Sequence, residues 1–328
     1  MILVGEVRTE RLVVAVLTYR RPDRIAALVP VLVEQAAGLA GRAKAVEVSV
    51  LVVDNDPAGT GAAAVTEAAA RLEAGACPVT VVVEPEPGIS AARNAALHAS
   101  GDQDLLVFVD DDEVPRPGWL DALHATYRAT GADAVAGPVA SRYADEPEPW
   151  VVAGGFYDRA HRLGLRTGTT VPSAATNNLL LDLRTVRRAN LAFDLALGLS
   201  GGEDTLFTSA LTAAGGRIVW CAEAVVSDVV PADRLARPYL LARTAGLANS
   251  SARVALMLAP GRGRRTALRA RTAAAGIARG ALGALQVARA ATRRDVAGDA
   301  RGRRALARSR GELLAACGTV LLPYARQG

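Results

Sequence analysis

Residues 105–113 read Leu-Leu-Val-Phe-Val-Asp-Asp-Asp-Glu, an apolar run that ends in four consecutive acids. The apolar part predicts a short buried strand. Adjacent carboxylates repel one another, so a partly buried cluster is tolerable mainly when a cation neutralises it. Oxygen ligands favour Mg²⁺ or Mn²⁺, and Mg²⁺ usually completes its shell with substrate phosphates. The stretch predicts a divalent metal and a diphosphate-bearing substrate, with a solvated helix-capping turn as the alternative.

Short aliphatic runs alternate with Ala-rich segments through the first two thirds of the chain. The predicted strands are 12–17, 48–53, 79–83 and 105–109, and the predicted helices are 22–37, 60–74 and 90–99. The alternation indicates an α/β fold with a mainly parallel sheet covered on both faces. Ligands bind such sheets at the carboxyl ends of the strands. The residues expected on this rim are Thr18, Asp54, Asp110, Asp111 and Asp112.

Composition indicates a globular protein of 328 residues, with one large domain and an appendage. Cys77, Cys221 and Cys317 are odd in number and far apart, so neither a disulfide framework nor a zinc site is expected. We expect no signal peptide, and no uninterrupted apolar run reaches the roughly 18 to 20 residues of a membrane span. A cytoplasmic location follows, with peripheral attachment at the inner membrane face left open.

Positive charge is concentrated late in the chain. Residues 253–310 hold 15 Arg against two Asp, a balance of +13, which leaves −8 for the remainder of a chain whose net charge is +5. After Pro231 the composition is Ala, Leu and Arg, and it predicts helices over 234–258 and, in pieces, over 266–320. We therefore expect a domain over 1–232, with halves near 1–113 and 114–232, and an Arg-rich helical region over 233–328.

Two further segments are candidates for phosphate contacts. Pro22 starts a helix whose free N–H groups suit an anion or a nucleotide edge, which makes Arg20 a candidate ligand. Arg93 lies in the first turn of a second helix, where its guanidinium could reach a diphosphate. The turn that follows Asp54 could equally be held by its own side chains.

A second acidic motif, 201–204, reads Gly-Gly-Glu-Asp. Its glycines permit close backbone approach, and Glu203 and Asp204 then begin an apolar helix, where an acid either caps the helix or acts as a base. Residues 141–176 lack clear periodicity and are rich in aromatics, which is typical of a functional loop. Trp150 could therefore cover an acceptor, or these aromatics could simply pack beneath the loop.

Five segments in order resemble the family-2 glycosyltransferases, an inverting group with the Rossmann-like GT-A fold. They are 15–22, 52–55, 88–94, 108–112 and 202–204, and the resemblance spans roughly residues 10–240. It implies a nucleotide-diphosphate sugar donor, a hydroxyl acceptor and Mg²⁺ or Mn²⁺. It places Asp110 at the ribose and metal, Asp112 on the metal, and Asp204 as the base beside Glu203. It also implies sugar contacts from Asn177, Asn178 and Gly202, with a buried structural role as the alternative for the two asparagines.

One position departs from this pattern, because Asp228 stands where many relatives carry a His that assists metal or diphosphate binding. The acceptor stays open among lipid-linked, polysaccharide and small-metabolite classes, and the donor base is not distinguished. The Ala- and Arg-rich, Lys-poor composition suggests a bacterial source.

Other classes of protein fit less well. A dehydrogenase would need a Gly-rich turn after the first strand, and residues 261–266 lack the ending of a P-loop. A sugar-phosphate nucleotidyltransferase is the remaining enzymatic alternative. The Arg-rich helices could instead form a binding module for an anionic membrane surface, or pack on the catalytic domain or on a second subunit. Nucleic acid is the less favoured ligand because aromatics for base stacking are absent between Arg243 and Val320.

Overall fold

The computed structural model describes residues 8–43, 45–73, 77–157 and 164–322. Its strands are β1 (Glu10–Thr18), β2 (Val46–Asp54), β3 (Val79–Val83), β4 (Leu105–Asp110), β5 (Glu113–Pro115), β6 (Ala134–Ala136), β7 (Val139–Tyr143), β8 (Thr170–Val171), β9 (Asn178–Asp182), β10 (Ile218–Trp220) and β11 (Val226–Val230). Its helices are α1 (Pro22–Arg42), α2 (Thr60–Ala69), α3 (Ile89–Ala99), α4 (Trp119–Thr130), α5 (Pro149–Gly154), α6 (Leu183–Arg188), α7 (Glu203–Ala213), α8 (Arg237–Leu258), α9 (Gly261–Arg293) and α10 (Val296–Ala316).

The chain divides into two compact units. The first comprises residues 1–140, 164–195 and 207–228, and the second comprises residues 141–163, 196–206 and 229–328. Each unit is built from separated stretches of sequence, so the chain passes between them several times.

An eight-stranded sheet forms the centre of the first unit, in the order β3-β2-β1-β4-β9-β6-β10-β8. The pairs β1 with β2, β1 with β4, β2 with β3, and β6 with β10 are parallel. Strand β9 lies antiparallel between β4 and β6, and β8 is antiparallel to β10. The predicted α/β fold with a mainly parallel sheet is confirmed, although the antiparallel insertion was not foreseen.

Both faces of this sheet are buried, because the side chains of a strand alternate between its two faces. Leu12, Val14 and Val16 pack on one face with residues of α1 and α4. Val13 and Ala15 pack on the other face with α3 and α6. The near-continuous aliphatic runs of β1 and β4 follow from this double coverage.

Helix α1 is longer than its predicted span of 22–37. It begins at Pro22, and the N–H that proline lacks would have no partner in the first turn of a helix. The helix continues through Pro30 and ends at Arg42. Among the described residues it alone is long and apolar enough to cross a bilayer by length and composition. Ile25, Val29 and Leu32 are fully buried in the sheet core, which is the setting of a core helix.

Other boundaries also differ from the prediction. Helix α2 ends at Ala69, five residues before the predicted end, and residues 141–176 contain β7, α5 and β8 rather than a structureless loop. Strands β5, β11 and β7 form a second, three-stranded sheet.

The second unit contains the long helices α8, α9 and α10. The predicted break near residues 260–263 separates α8 from α9, but α9 then continues unbroken for 33 residues. Asp295 caps α10 by accepting from the backbone N–H of Gly298 at 2.9 Å. Small residues let α9 and α10 approach closely, since a Cβ on Gly283 would lie 2.9 Å from the carbonyl oxygen of Gly302.

Candidate active site

Three neighbouring parallel strands of the first unit end at the same rim. Thr18 is the ladder partner of Asp54, and Leu17 is the partner of Asp110. The strands β2, β1 and β4 therefore present polar residues together at their carboxyl ends. The sequence predicted this grouping, because each polar residue directly follows an aliphatic run.

Asp111 is the most enclosed of the three aspartates at this rim. Its side chain is 7% exposed, accepts from the Thr18 hydroxyl at 2.9 Å, and lies 2.6 Å from Nη1 of Arg21. Burial raises the pKa of Asp111, while Arg21 and Thr18 oppose that rise. Asp111 thus binds the chain's own groups and holds the end of β4 against the end of β1.

Arginine side chains compensate part of the acidic charge. Nη1 of Arg21 lies 3.5 Å from Asp112, and Nη1 of Arg24 lies 3.9 Å from the same carboxylate. Burial lowers the pKa of Arg21, but Asp111 and Asp112 outweigh this and raise it. From the acidic run alone a metal is the predicted neutralising group, and Arg21 and Arg24 are not identified. Their three-residue spacing across the start of α1 was the available signal.

Arg20, the residue of this segment predicted to contact a nucleotide, contacts Asp56 and not the acidic quartet. Its backbone has a φ of 52°, its Nε lies 3.6 Å from Asp56, and its guanidinium carbon lies 5.2 Å from the centre of the Tyr19 ring. A hydrogen bond from Thr60 lowers the pKa of Asp56. Arg20 therefore contacts the loop after β2.

Asp54 and Asn55 shape that loop. Asp54 is fully buried and accepts from the backbone N–H groups of Asp56 at 3.1 Å and Ala62 at 2.9 Å. Asn55 donates to the carbonyl oxygens of Glu84 and Glu86 at 2.8 and 2.6 Å. The alternative reading of this segment, a turn held by its own side chains, accounts for these contacts, and a nucleotide contact from Asp54 stays a prediction.

Arg93 lies in the first turn of α3, as predicted, but it is only 6% exposed. Its guanidinium carbon lies 5.5 Å from the centre of the Phe193 ring. A guanidinium keeps its proton in a protein even when it is buried. Arg93 therefore brings a fixed positive charge into the first unit.

The two asparagines have different surroundings. Asn178 is 1% exposed, accepts from the Trp119 indole at 2.9 Å, and donates to the carbonyl oxygens of Pro138 and Ala224. These contacts use its hydrogen-bonding groups for structure. Asn177 donates to Oε1 of Glu113 at 2.5 Å, and Glu113 is itself 2% exposed. Glu113, the fourth acid of the quartet, was not predicted from the sequence to have a separate role.

Asp228 lies directly opposite Glu113 in the ladder between β5 and β11. Among the described residues, its buried Oδ1 has no hydrogen-bond partner. This register brings the residue that replaces the expected His next to the end of the acidic quartet. Residues so placed have carboxyl groups on one face of the sheet.

The acidic motif Glu203-Asp204 belongs to the second unit and begins α7. Gly201 and Gly202 precede it with φ values of 77° and 95°, a conformation that L side chains rarely adopt. A Cβ on Gly202 would lie 2.9 Å from Val254. Nη1 of Arg253 donates to the Ser200 hydroxyl at 2.8 Å, so α8 supports the turn that carries the motif.

The two acids differ in exposure. Glu203 is 6% exposed, whereas Asp204 is partly exposed. Oδ1 of Asp204 accepts from the backbone N–H of Thr205 at 2.6 Å. Asp204 is thus the more accessible carboxylate, held in orientation by its neighbour.

Trp150 lies in the second unit and is 2% exposed. Its ring stacks on Phe156 with centres 5.1 Å apart, the Arg237 guanidinium covers it at 4.9 Å, and its Nε1 donates to Asp299 at 2.8 Å. These contacts match packing beneath the loop, the second of the two readings of this segment. A contact between Trp150 and an acceptor stays a prediction.

The donor set at the rim suits a hard divalent cation. Asp110 and Asp112 offer carboxylate oxygens, and the buried Oδ1 of Asp228 adds a similar acceptor on β11. In the described part of the chain, no group of three His, Cys, Asp or Glu side chains converges as a ready metal cage. This arrangement fits Mg²⁺ or Mn²⁺ held by one or two carboxylates and completed by phosphates and water.

Comparisons with known proteins agree with this architecture. Residues 13–178 match the family model for Glycosyl transferase family 2. The succinoglycan biosynthesis protein ExoM of Rhizobium meliloti (strain 1021) is 34% identical over 230 residues, which are 70% of each chain.

Two solved structures of S. aureus TarS share the fold. TarS matches with a TM-score of 0.50 and 15% identity. The match covers 79% of this chain and 42% of the TarS chain. TarS 1–349 in complex with UDP matches with a TM-score of 0.50 and 14% identity, over 94% of this chain and 92% of that chain. The sheet order and the family match together confirm the GT-A-like fold and leave the nucleotidyltransferase alternative unfavoured. The chain belongs to the family 2 glycosyltransferases.

Proposed function

We propose that the chain transfers a sugar from a nucleotide-diphosphate sugar to an acceptor hydroxyl with inversion at the anomeric carbon. The observation that carries the proposal is the shared rim of β1, β2 and β4, where Thr18, Asp54 and Asp110 end neighbouring strands in register. Ligands of open α/β sheets bind at such rims. UDP, the ligand of the TarS 1–349 structure, is a nucleoside diphosphate of the proposed donor class.

The donor end of the proposed reaction uses the acidic quartet. Asp110 binds the ribose side of the nucleotide, and Asp112 holds a divalent metal. The metal, when bound, stabilises negative charge on the leaving diphosphate as a Lewis acid. Asp111 is engaged by Thr18 and Arg21, so it holds the loop in place rather than contacting the donor.

Positive side chains assist the leaving group. Arg21 and Arg24 lie within 4 Å of Asp112, and the buried Arg93 adds a fixed charge. A preorganised cation stabilises charge most strongly where that charge develops in the transition state. These residues therefore act on the departing diphosphate more than on the bound sugar.

Asp204 is the proposed general base. It takes the proton of the acceptor hydroxyl while that oxygen forms a bond to the anomeric carbon and the bond from this carbon to the diphosphate breaks. A single displacement of this kind inverts the anomeric configuration. The hydrogen bond from Thr205 to Oδ1 orients the carboxylate, and the turn at Gly201 and Gly202 sets its backbone. Glu203, the other acid of the motif, stays a proposed catalytic residue beside Asp204.

The acceptor remains unassigned among lipid-linked, polysaccharide and small-metabolite hydroxyls. Asn177, through its contact with Glu113, and Gly202 stay proposed sugar contacts. The division into a catalytic part at 1–232 and a helical part at 233–328 also stays a proposal.

The experiment that tests the proposal compares Asp204→Asn with Asp233→Asn. Asp233 is an exposed acid of the same unit, outside the motif. Transfer is measured as release of nucleoside diphosphate from a panel of nucleotide sugars, with cell-extract glycans as acceptors. Asp204→Asn should reduce release about 10²- to 10⁴-fold, the usual share of a general base, with nucleoside diphosphate binding retained.

The control variant should retain wild-type activity. Near-normal turnover by Asp204→Asn would show that another group is the base. Wild-type protein that released no nucleoside diphosphate from any donor of the panel would contradict the proposed function itself.

A further inference from the structure

Helix α9 of the second unit presents one covered face and one exposed face. Gly276, Gly283 and Ala290, spaced by seven residues, are its buried positions. They lie on the side that packs on α10, since a Cβ on Gly276 would lie 3.0 Å from Leu313. The other side carries Ile277 and Leu282, which are 64% and 68% exposed. Exposed aliphatic side chains are typical of a binding surface when they form a continuous patch with their neighbours.

The exposed apolar residues form a stripe along the helix. From Ile277 the stripe continues at the fourth, seventh, eighth and eleventh residues, where Ala281, Ala284, Leu285 and Ala288 are all exposed. These intervals are those of one helical face at 3.6 residues per turn. Leu285 is 47% exposed, so the stripe contains a second large side chain beside Ile277.

A row of cations borders this stripe. The row contains Arg264, Arg271, Arg289 and Arg293, with Leu282 on the same line between Arg271 and Arg289. From Arg264 to Arg293 the successive intervals are 7, 11, 7 and 4 residues. Seven residues are nearly two turns of helix and eleven are about three, so these side chains lie along one line. All four Arg of the row are exposed. This row and the apolar stripe together form the cationic face of α9.

The charge of the cationic face is not neutralised by any described residue of the second unit. Helix α9 contains eight Arg and no acid. The acids of α10 are engaged elsewhere, Asp299 with Arg303 and Glu312 with Arg279 and Arg308. Over the described ranges, no carboxylate lies within 4.0 Å of a nitrogen of the four Arg in the row. The surface therefore suits an extended anionic partner.

We propose that the cationic face binds the anionic surface of a lipid bilayer, with α9 lying flat in the interface. Helices that do so combine an apolar stripe, which enters the acyl boundary, with Arg or Lys that reach the headgroups. The site involves none of the groups proposed for sugar transfer, so it stands independently of that proposal.

Other occupants fit this face less well. A second copy would bring two helices together that each carry eight Arg and no compensating acid. Nucleic acid would account for the cations but not for Ile277, Leu282 and Leu285, and α9 contains no aromatic residue for base stacking. A bilayer uses both the charge and the apolar stripe.

The test is co-sedimentation of the full chain with vesicles of phosphatidylcholine alone or of phosphatidylcholine mixed with phosphatidylglycerol. Wild-type protein should bind the anionic vesicles and should detach as salt increases. In the double variant Arg271→Gln/Arg289→Gln, each lost charge should reduce partitioning about fivefold, so about 25-fold in total. Ile277→Ser/Leu282→Ser should also lose binding while retaining every charge.

A matched control removes the same charge from α10. Arg301→Gln/Arg310→Gln changes two exposed Arg of the neighbouring helix and should reduce binding much less. Equal losses in the two double Arg variants would show diffuse charge attraction and would overturn the proposal. So would full binding by the Ile277→Ser/Leu282→Ser variant with an unchanged thermal midpoint.

Two further measurements separate the other occupants. Binding of the wild type to duplex DNA in preference to anionic vesicles, lost in Arg271→Gln/Arg289→Gln, would assign the face to nucleic acid. A dimer in sedimentation velocity that is lost in Ile277→Ser/Leu282→Ser, without vesicle binding by the wild type, would assign it to a second copy. Either result would contradict the proposal.

Discussion

The acidic rim of the first unit and the cationic face of the second are both concentrations of charge, but they are built differently. At the rim, Asp111 and Asp112 have guanidinium nitrogens within 2.6 to 3.9 Å. On α9, the row of Arg264, Arg271, Arg289 and Arg293 lies in solvent with no carboxylate close by among the described residues. Charge that is compensated at short range can position a small ligand. Charge left open along a helix suits an extended surface.

The difference also explains what each region costs the fold. A partly buried carboxylate needs hydrogen bonds and a counter-charge, and Thr18 and Arg21 supply both to Asp111. Exposed arginines on a helix need neither, because water and salt screen them. We therefore expect substitutions at the rim to change catalysis strongly, and substitutions on the α9 face to change binding to surfaces alone.

Asp112→Asn has the largest expected effect at the rim. It removes the charge proposed to hold the metal while keeping the size of the side chain, so turnover should fall about 10²-fold, as when one electrostatic group of a transition state is removed. The measurement is the rate of nucleoside diphosphate release at saturating donor.

Asp102→Asn, at an exposed acid of the same unit, is the control. Equal rates in the two variants would show that the acids of the rim have no more effect on turnover than ordinary surface charge.

Gly202→Ala tests the support of the second acidic motif. The residue has a φ of 95°, and its new Cβ would lie 2.9 Å from Val254. Strain of this kind typically costs about 1 to 3 kcal/mol, so the free energy of unfolding should fall by about 2 kcal/mol. Turnover should also fall, because the glycine sets the backbone that carries Asp204. Urea unfolding measures the first and nucleoside diphosphate release the second.

Gly318→Ala provides the matched comparison, because its φ is 85° but nothing lies within 4 Å of the added Cβ. It should cost clearly less than Gly202→Ala and leave turnover unchanged. Identical losses would mean that the contact with Val254 has no role.

Glu10→Gln, at the opposite end of β1 from the rim, has the smallest expected effect. Glu10 lies 2.6 Å from Nε2 of His124, and this hydrogen bond lowers the pKa of Glu10. A lowered carboxyl pKa stabilises the fold above the ordinary Glu pKa, and the contribution is lost as the pH falls through the folded value.

The variant should therefore lose about 1 kcal/mol of unfolding free energy at neutral pH and progressively less in acid. Urea unfolding at several pH values checks this. A loss that persisted after the pH had fallen below the folded pKa of Glu10 would contradict the assignment, and nucleotide binding should not change.

The sequence was sufficient where signals are local. The aliphatic runs of β1, β2 and β4 and the polar residues after them predict the rim, because a strand's buried face and its end are both visible in neighbouring residues. The break between α8 and α9 was likewise marked by Pro260 and Gly261. The order of short motifs identified the family.

What the sequence left open or did not show depends on contacts between distant residues. The antiparallel position of β9 between β4 and β6 depends on pairing across long loops, which the run Leu179 to Leu181 does not encode by itself. Arg20 and Arg21 are adjacent in sequence, and only the backbone at Arg20, with its φ of 52°, directs Arg21 rather than Arg20 to the acids. For Trp150 and Asn178 the sequence left a structural and a binding role open, and their burial in this structure shows structural contacts for both.

Calorimetric titration of uridine, guanosine and thymidine diphosphates into the wild-type chain, with and without Mg²⁺ or Mn²⁺, tests the role of the rim most directly. We expect at least one of these nucleotides to bind, and we expect the metal to increase its affinity. This gain should be lost in Asp112→Asn and kept in Asp102→Asn. Absence of binding by all three, or an affinity that neither the metal nor Asp112→Asn alters, would contradict the proposed role of the rim.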